Sequence, residues 1–521
     1  MTLDILKKEQ IAMEKRFWLR TDRRCNNHCL FCHDSETQNG ELIETDVLKR
    51  EIKEAAGQGF SRLILSGGEP TIHPDIISLI EFAKKCGYKW VQIISNGRMF
   101  AYRDFTESAA KAGLNEVTIS LHSHIERIAD SLTDIKGSFR QTLEGIGNLK
   151  RQNLIISIDI VINRLNLNHL RDTMEFFHKK YGITEFDLLH LTPFGRALEN
   201  YRMLKTDPED EQRELRRVIR YAKENNIVVW TNRVPPNLLE DNEDYIQDPH
   251  KILDEISGRA EIFGKYLNTG ILECRNSVRC RDCFVSDFCE FLIEVRNIYL
   301  KKRVARIDIS EKCDEKLLTT IFDHVAFNAS VRISDKIIDM LKDEITDSRK
   351  RIILKTEELK NIEKIIRIYP VEAVISENPE ILKIKSGKII LILTKNNIKT
   401  VKPAKRLELF YPNSTNMKIE FLSIPDIDEV KNISDRSGLR IANLPKCITG
   451  SYYRDNPYYF RAEFINENGF DLNEIAGDFL LNRNYHKSLR CSECIINSQC
   501  KGMHINHLRR FGFRILKPVR G

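Results

Sequence analysis

Phe17-Trp18-Leu19-Arg20, followed by Cys25-Asn26-Asn27-His28-Cys29-Leu30-Phe31-Cys32, is the stretch on which the reading of this chain turns. The first four residues read as a strand, and the three thiols fall on the loop that leaves it. A loop can wrap three thiolates around one face of a small object, where a regular helix or strand would splay some of them apart. Three soft ligands without an obvious fourth suit an iron–sulfur cluster with one iron left open, and zinc is the competing metal.

Outward from that loop, residues 17–231 alternate short apolar strands with amphipathic helices. The strands are expected at Phe17–Thr21, Arg62–Ser66, Trp90–Ser95, Glu116–Leu121, Ile155–Ile162 and Phe186–Leu191. Helical spacing, as in Leu48, Ile52 and Ala55, marks 45–57, 75–86, 103–112, 138–152, 166–180 and 208–225. This alternation implies right-handed crossovers and a parallel sheet. The expected class is α/β, a partial (β/α)6 barrel of the TIM type with cysteine-rich extensions and an additional α/β region.

Functional loops then gather at the carboxyl ends of the strands. Ser66-Gly67-Gly68-Glu69-Pro70 ends the second strand, Ser95-Asn96-Gly97 the third, and Ser120-Leu121-His122-Ser123 the fourth. Glycine lets a ligand approach the backbone closely, and Glu69 can accept hydrogen bonds from an ammonium group.

The Cys25/Cys29/Cys32 triplet at the first strand, the Gly67-Gly68-Glu69-Pro70 run at the second and the partial barrel together resemble the radical S-adenosylmethionine (radical SAM) superfamily over residues 15–231. The resemblance implies a 4Fe–4S cluster held by Cys25, Cys29 and Cys32, its remaining iron chelated by S-adenosylmethionine. Carried over by position, Gly67, Gly68 and Glu69 meet the methionine amino group. Phe31 lies by the adenine, and Ser95 and Ser120 approach the ribose or carboxylate. Ser157 stands where some relatives carry a basic residue toward the cofactor. The run Pro193-Phe194-Gly195-Arg196-Ala197 is similar to the sixth-strand exit of members with auxiliary clusters. Arg196 is open to three readings: paired with an acidic group, capping a helix end, or solvated.

Two further cysteine groups follow. Cys280, Cys283 and Cys289 have two and then five residues between them, and the same spacing returns in Cys491, Cys494 and Cys500. Cys274 and Cys447 stand upstream as possible fourth ligands, and His504 is an alternative to Cys447. These groups look like the twitch and SPASM extensions that bind auxiliary 4Fe–4S clusters, although the usual extension is continuous and here the two sets stand far apart. Zinc competes, because a two-residue gap between cysteines is also zinc-site spacing.

The expected division is a barrel core over 1–235, a first cysteine-rich region over 236–298, a mixed α/β domain over 299–440 and a second cysteine-rich region with a basic tail over 441–521. Within the third, Ile389–Thr394 and Lys418–Leu422 read as strands, and Asp335–Asp343 and Lys355–Ile366 as helices. The runs Lys301-Lys302-Arg303 and Arg349-Lys350-Arg351 read as solvated faces. From Lys501 onward the chain holds six basic residues and no acidic one, with Phe511 and Phe513 interleaved. That tail could contact nucleic acid, but packed aromatics with their charges in water is the favoured account.

Composition sets the bounds. The chain has 521 residues, 41% hydrophobic and 30% charged, with a net charge of +7, an ordinary globular balance that demands no nucleic-acid partner. No apolar run approaches the roughly 20 residues of a membrane helix, and the first residues carry no signal-peptide core. A cytoplasmic location follows by default. Of thirteen cysteines only Cys86, Cys313 and Cys447 stand outside the tight groups, which reads as metal ligation rather than a disulfide framework.

The chemistry implied is one-electron cleavage of S-adenosylmethionine to a 5′-deoxyadenosyl radical that takes hydrogen from a substrate. The implied partners are a reductant, such as a flavodoxin or ferredoxin, and a peptide or protein substrate, by likeness to enzymes that modify ribosomally made peptides. Cofactor biosynthesis and tRNA modification are the alternative enzyme classes. An electron-transfer or zinc-binding scaffold is the alternative without catalysis.

Overall fold

The computed structural model describes residues 6, 9, 10, 14, 16–301, 306–309, 326–330, 351–355, 362, 366–367, 371–384, 387–404, 406–450 and 459–520. Cys313, the expected helix Asp335–Asp343, most of Lys355–Ile366 and most of the two short basic runs lie outside these residues. The chain divides into two compact units: Gln10–Gln247 with Asn276–Phe284, and Met1–Glu9 with Asp248–Arg275 and Val285–Gly521.

The first unit is built on seven strands: β1 (Arg16–Asp22), β2 (Arg62–Gly67), β3 (Trp90–Ser95), β4 (Glu116–Ser120), β5 (Ile155–Val161), β6 (Glu185–Leu189) and β7 (Val228–Asn232). They pair in sequence order and every pairing is parallel. The helices between them are α1 (Thr45–Gly57), α2 (Ile76–Lys85), α3 (Arg103–Lys111), α4 (Glu126–Thr133), α5 (Ser138–Arg151), α6 (Leu170–Tyr181) and α7 (Pro208–Glu224). Strands that follow one another in order through crossovers of one hand place all their helices on one face. The result is a curved barrel wall, and among the described residues no pairing joins β7 back to β1. The expected six strands are therefore seven. The seventh, β7, begins in the apolar run Ile227-Val228-Val229-Trp230, and its Trp230 ring N–H donates to Glu185 at 2.8 Å.

The two faces of this sheet differ in chemistry. Leu63, Leu65, Val91, Ile93, Val117, Ile119, Ile158, Phe186 and Leu188 are sealed against the helices. The alternate residues face the interior and, apart from residues such as Ile64 and Ile94, are largely polar. Arg62 donates to Glu116 at 2.8 Å, the Trp90 ring N–H reaches the same carboxylate at 2.9 Å, and Gln92 bridges Glu116 to Thr118. With Trp230 on Glu185 these contacts form a floor at the amino ends of the strands.

The second unit contains eight strands: β8 (Arg306–Ile309), β9 (Ala326–Ser330), β10 (Arg351–Lys355), β11 (Val371–Ser376), β12 (Lys388–Ile392), β13 (Leu407–Phe410), β14 (Ile441–Ala442) and β15 (Tyr459–Arg461). All are parallel, in the order β14-β13-β12-β11-β10-β9-β8-β15. Here too each strand follows its predecessor, and the last lies beside the first. Two helices of this unit enter the argument: α8 (Ser286–Lys301) and α9 (Met417–Ser423). The expected strand Lys418–Leu422 is helix α9. The Asn416 side chain accepts from the Ile419 N–H and so caps its start, and the buried residues Met417 and Glu420 are three apart, a helical rather than an alternating spacing.

The basic tail also departs from expectation. Arg509 is buried and donates to Asp248 at 3.1 Å, Arg510 pairs with Asp426 and reaches the Glu420 carbonyl at 2.8 Å, and Arg520 pairs with Glu493. Arg509 and Arg510 thus sit in internal ion pairs, whereas Arg514, Lys517 and Arg520 are exposed as expected and Phe513 is packed.

Candidate active site

The thiol loop is held in place from several directions within the first unit. Beneath it, α4 accepts His28 N–H at Thr133 O (3.0 Å) and Leu30 N–H at Leu132 O (2.9 Å). From the β3 exit, Asn96 donates to Asn26 Oδ1 at 2.6 Å, and Arg98 reaches Asn27 Oδ1 at 2.8 Å. From β1, Arg20 forms a two-pronged pair with Asp34, just past Cys32. The sequence reading contained neither α4 nor the pairings of Asn26, Asn27, Asn96 and Arg98, because these contacts join residues roughly 70 to 105 apart.

The Gly67-Gly68-Glu69 run docks directly on the approach to Cys25. Gly68 N–H donates to Asp22 O at 2.9 Å and Glu69 N–H to Arg24 O at 2.8 Å. A Cβ at position 68 would stand 2.7 Å from the Arg24 carbonyl carbon and closer still to its oxygen, so the close approach requires glycine. Glu69 is buried, and its carboxylate accepts from Thr71 N–H (3.0 Å), the Thr71 hydroxyl, Ser95 Oγ (2.8 Å) and Asn96 N–H (2.7 Å). Burial raises its pKa, and those hydrogen bonds oppose the rise. Glu69 thereby locks the exits of β2 and β3 together.

Arg196 follows Gly195, whose φ of +52° and packing on the Cys32 carbonyl leave no room for a side chain. The Arg196 backbone N–H is held by Ser35 Oγ at 2.8 Å, and its guanidinium reaches His28 Nδ1 at 3.4 Å. Its Nε is buried with no hydrogen-bond partner. The charge lies close enough to Cys25, Cys29 and Cys32 to favour the thiolate of each. Of the three sequence readings of Arg196, pairing with an anionic group is the one this placement favours.

Burial dominates the thiols nonetheless. It pushes Cys25 up to about 12, Cys29 further, and Cys32 in the same direction. Such thiols keep their protons until a metal displaces them. Asn27 N–H points at Cys25 Sγ (3.4 Å) and Gln38 Nε2 at Cys32 Sγ (3.5 Å). Amide donors aimed at sulfur, a nearby cation and an orphaned guanidinium nitrogen fit an anionic iron–sulfur cluster.

The remaining expected contacts are distributed around this loop. Phe31 is buried edge-on against His122, with ring centroids 4.3 Å apart, in a cluster with Leu132, Leu191, Ala197, Tyr201 and Leu204. Ser95 donates to Glu69, as above. Ser120 ends β4 opposite Asp159. Ser157 lies one tier lower, its hydroxyl 2.8 Å from that of Thr118.

In the second unit Cys447, Cys491, Cys494 and Cys500 lie near enough that each of the last three raises the pKa of Cys447. Backbone N–H groups of Gly502 and Val519 point at Cys500 and Cys494 sulfurs, each at 3.3 Å. His504 is fully buried; one ring nitrogen bonds Leu480 O at 3.0 Å and the other receives Asn506 N–H at 3.4 Å. Both His504 nitrogens are engaged, and of the two candidates Cys447 is the one whose thiol feels Cys491, Cys494 and Cys500. Of the other group, Cys280 and Cys283 belong to the first unit, and Cys274 and Cys289 to the second.

Comparison with known proteins places these features. Residues 20–177 match the model of the radical SAM superfamily. Over 214 residues the chain is 29% identical to an AdoMet-dependent heme synthase of Methanosarcina barkeri, covering 40% of this chain and 59% of that one. Over 173 residues it is 28% identical to a probable GTP 3′,8-cyclase of Saccharolobus islandicus, covering 33% and 55% respectively. The chain thus spans little more than half the length of these curated relatives. Streptococcus suis SuiB bound to its precursor peptide SuiA aligns with a TM-score of 0.37 at 16% identity, over 46% of this chain and 52% of that one. No helix among the described residues is long and apolar enough to cross a membrane.

Proposed function

We propose that this chain, whose residues 20–177 match the radical SAM superfamily model, cleaves S-adenosylmethionine reductively and takes a hydrogen atom from a peptide or protein substrate held against the polar face of the β1–β7 sheet. The observation that carries this reading is the thiol loop itself: three half-buried cysteines fixed by α4, by the Gly67–Glu69 run and by Arg196.

Cys25, Cys29 and Cys32 would hold the 4Fe–4S cluster, which when bound with S-adenosylmethionine supplies the electron that releases methionine and a 5′-deoxyadenosyl radical. The chain's part is positional. Gly67, Gly68 and Glu69 present backbone and carboxylate groups to the methionine amino end. Ser95 and Ser120 offer hydroxyls at the same sheet edge, and Phe31 and Ser157 lie around and below it. Arg196 balances negative charge beside the thiols. Holding the target carbon close to the adenosyl carbon requires these groups to stay fixed, and the hydrogen-bond network between Asn26, Asn96, Arg98 and Glu69 supports that rigidity.

The peptide reading rests on the cysteine groups beyond the barrel, which resemble the extensions of peptide-modifying members. In this proposal Cys447, Cys491, Cys494 and Cys500 hold one auxiliary cluster, and the repeated cysteine spacing of the other group is the sequence signal for a second. A flavodoxin or ferredoxin serves as reductant. The second reading is synthesis of a cofactor, favoured by likeness to proteins named as a heme synthase and a GTP cyclase. Anaerobic reconstitution with iron and sulfide, reduction, and measurement of 5′-deoxyadenosine test the shared core of both readings. Formation that is lost in Cys29→Ala is expected, and absence of product from a fully reconstituted protein would refute it.

A further inference from the structure

The interior face of the first sheet carries two carboxylates that the radical chemistry does not use. Asp159 on β5 and Asp187 on β6 are direct partners in the parallel register, so their side chains leave the same face about 4.8 Å apart at the backbone. Asp159 is also opposite Ser120, at the carboxyl end of β4. The pair therefore sits at the tier of the proposed cofactor edge, above the floor.

The floor shows what the pair lacks. Glu116 is matched by Arg62 and by the Trp90 ring N–H, and Glu185 by the Trp230 ring N–H. Asp187 has the Asn232 side chain as a hydrogen-bond partner on one side, but its Oδ1 is sealed from water with no hydrogen-bond partner at all. Burial and the charges of Asp187, Glu116 and Glu185 push Asp159 upward; burial and Glu185 push Asp187 up to about 6, against the Asn232 hydrogen bond and the nearby charge of Arg233. Leaving a buried acceptor unmatched costs about 1–3 kcal/mol, which a chain retains where a ligand supplies the missing donor. The donor has to be positive or strongly hydrogen-bonding, since two carboxylates reject an anion. Magnesium keeps several waters around its one or two carboxylates, which an oxygen sealed from water does not admit, whereas a nitrogen cation bridges them with charge-assisted hydrogen bonds.

We infer that Asp159 and Asp187 form a subsite for a positively charged nitrogen group of the substrate, an ammonium or guanidinium, which fixes the carbon to be attacked beneath the cofactor edge. This rests on the radical reading for its purpose but not for its test. In peptide terms it selects a lysine- or arginine-like side chain.

The test titrates n-butylguanidinium, n-butylammonium and butyrate calorimetrically into the anaerobically reconstituted full-length protein saturated with S-adenosylmethionine. Asp159→Asn, Asp187→Asn and the double variant are compared, with Asp187→Ser in reserve should an asparagine variant fail to fold. The cations are expected to bind and butyrate not to. Each single change should weaken the cations at least tenfold, while iron content holds and the melting temperature stays at or above that of the native protein. Equal cation binding by the double variant, equal binding of butyrate, or a lowered melting temperature in every variant would overturn the proposal, the last by making the pair structural. A protein that forms no 5′-deoxyadenosine yet binds the cations in this Asp-dependent way supports the subsite and defeats the radical reading instead.

Discussion

Gly68→Ala is the sharpest test of how the thiol loop is held. The new methyl carbon would lie 2.7 Å from the Arg24 carbonyl carbon, where carbon–carbon contact needs about 3.5–4.0 Å. The obstacle is backbone, so nothing can rotate away. The β2 exit or the approach to Cys25 has to move by about 1 Å. That movement breaks the Gly68 N–H bond to Asp22 O and the Glu69 N–H bond to Arg24 O, each worth about 1 kcal/mol net. Overpacking adds about 1–3 kcal/mol, giving a cost on the order of 3–5 kcal/mol. A displacement of this size at a reacting centre lowers the rate by about a hundredfold. Iron and sulfide content, melting temperature and 5′-deoxyadenosine formation would be measured together on the reconstituted protein. A Gly68→Ala variant that keeps native values of all three would show that the docking of Gly67–Glu69 on Asp22–Arg24 does not set the loop.

Three further outcomes are expected. Removing Cys25, Cys29 and Cys32 together should leave about eight irons if two auxiliary 4Fe–4S clusters are present, as read by colorimetric iron and sulfide counts; bound zinc would refute the auxiliary assignment. Cys447→Ala should lose iron from the C-terminal group, whereas His504→Ala should keep it and lose about 1–3 kcal/mol of stability from its severed bond to Leu480 O, as denaturant titration would show. Asp187 titrates at about 6 in the fold, above the ordinary carboxyl value of about 3.9. The folded state therefore holds this proton more tightly than the unfolded chain, so the stability it contributes is complete below about pH 4 and is lost as pH rises through about 6. Melting temperature across pH 4–7 should fall more steeply in the native protein than in Asp187→Asn; parallel profiles would contradict the assignment.

Most of the first sheet was legible because its helix-facing residues are apolar without interruption and its helices keep a three–four spacing. Strands β1 to β6 lie within a few residues of where alternation put them. Strand β7 was legible too, in the run Ile227-Val228-Val229-Trp230 after the last helix, but a scheme of six strands left it out. Glu69 was read as a ligand group from its glycine-rich turn. Its role in joining two strand exits depends on Ser95 and Asn96 and has no local signature. Likewise the spacing of His504 from Cys500 suited a ligand, and only its two hydrogen bonds reveal a structural residue. The alternation over 299–440 indicated α/β structure, but strand order is a property of long-range pairing that no local pattern carries.

That strand order has a consequence for how the second sheet is made. Strands β8 to β14 can be added one by one as they leave the ribosome, each to the edge left by the one before. Strand β15 breaks the succession, since Tyr459–Arg461 must return to Arg306–Ile309 across roughly 150 residues of chain. Until it arrives, β8 presents an open hydrogen-bonding edge. Completion of the sheet thus waits on late synthesis, and a chain halted before residue 459 would expose a strand edge suited to self-association.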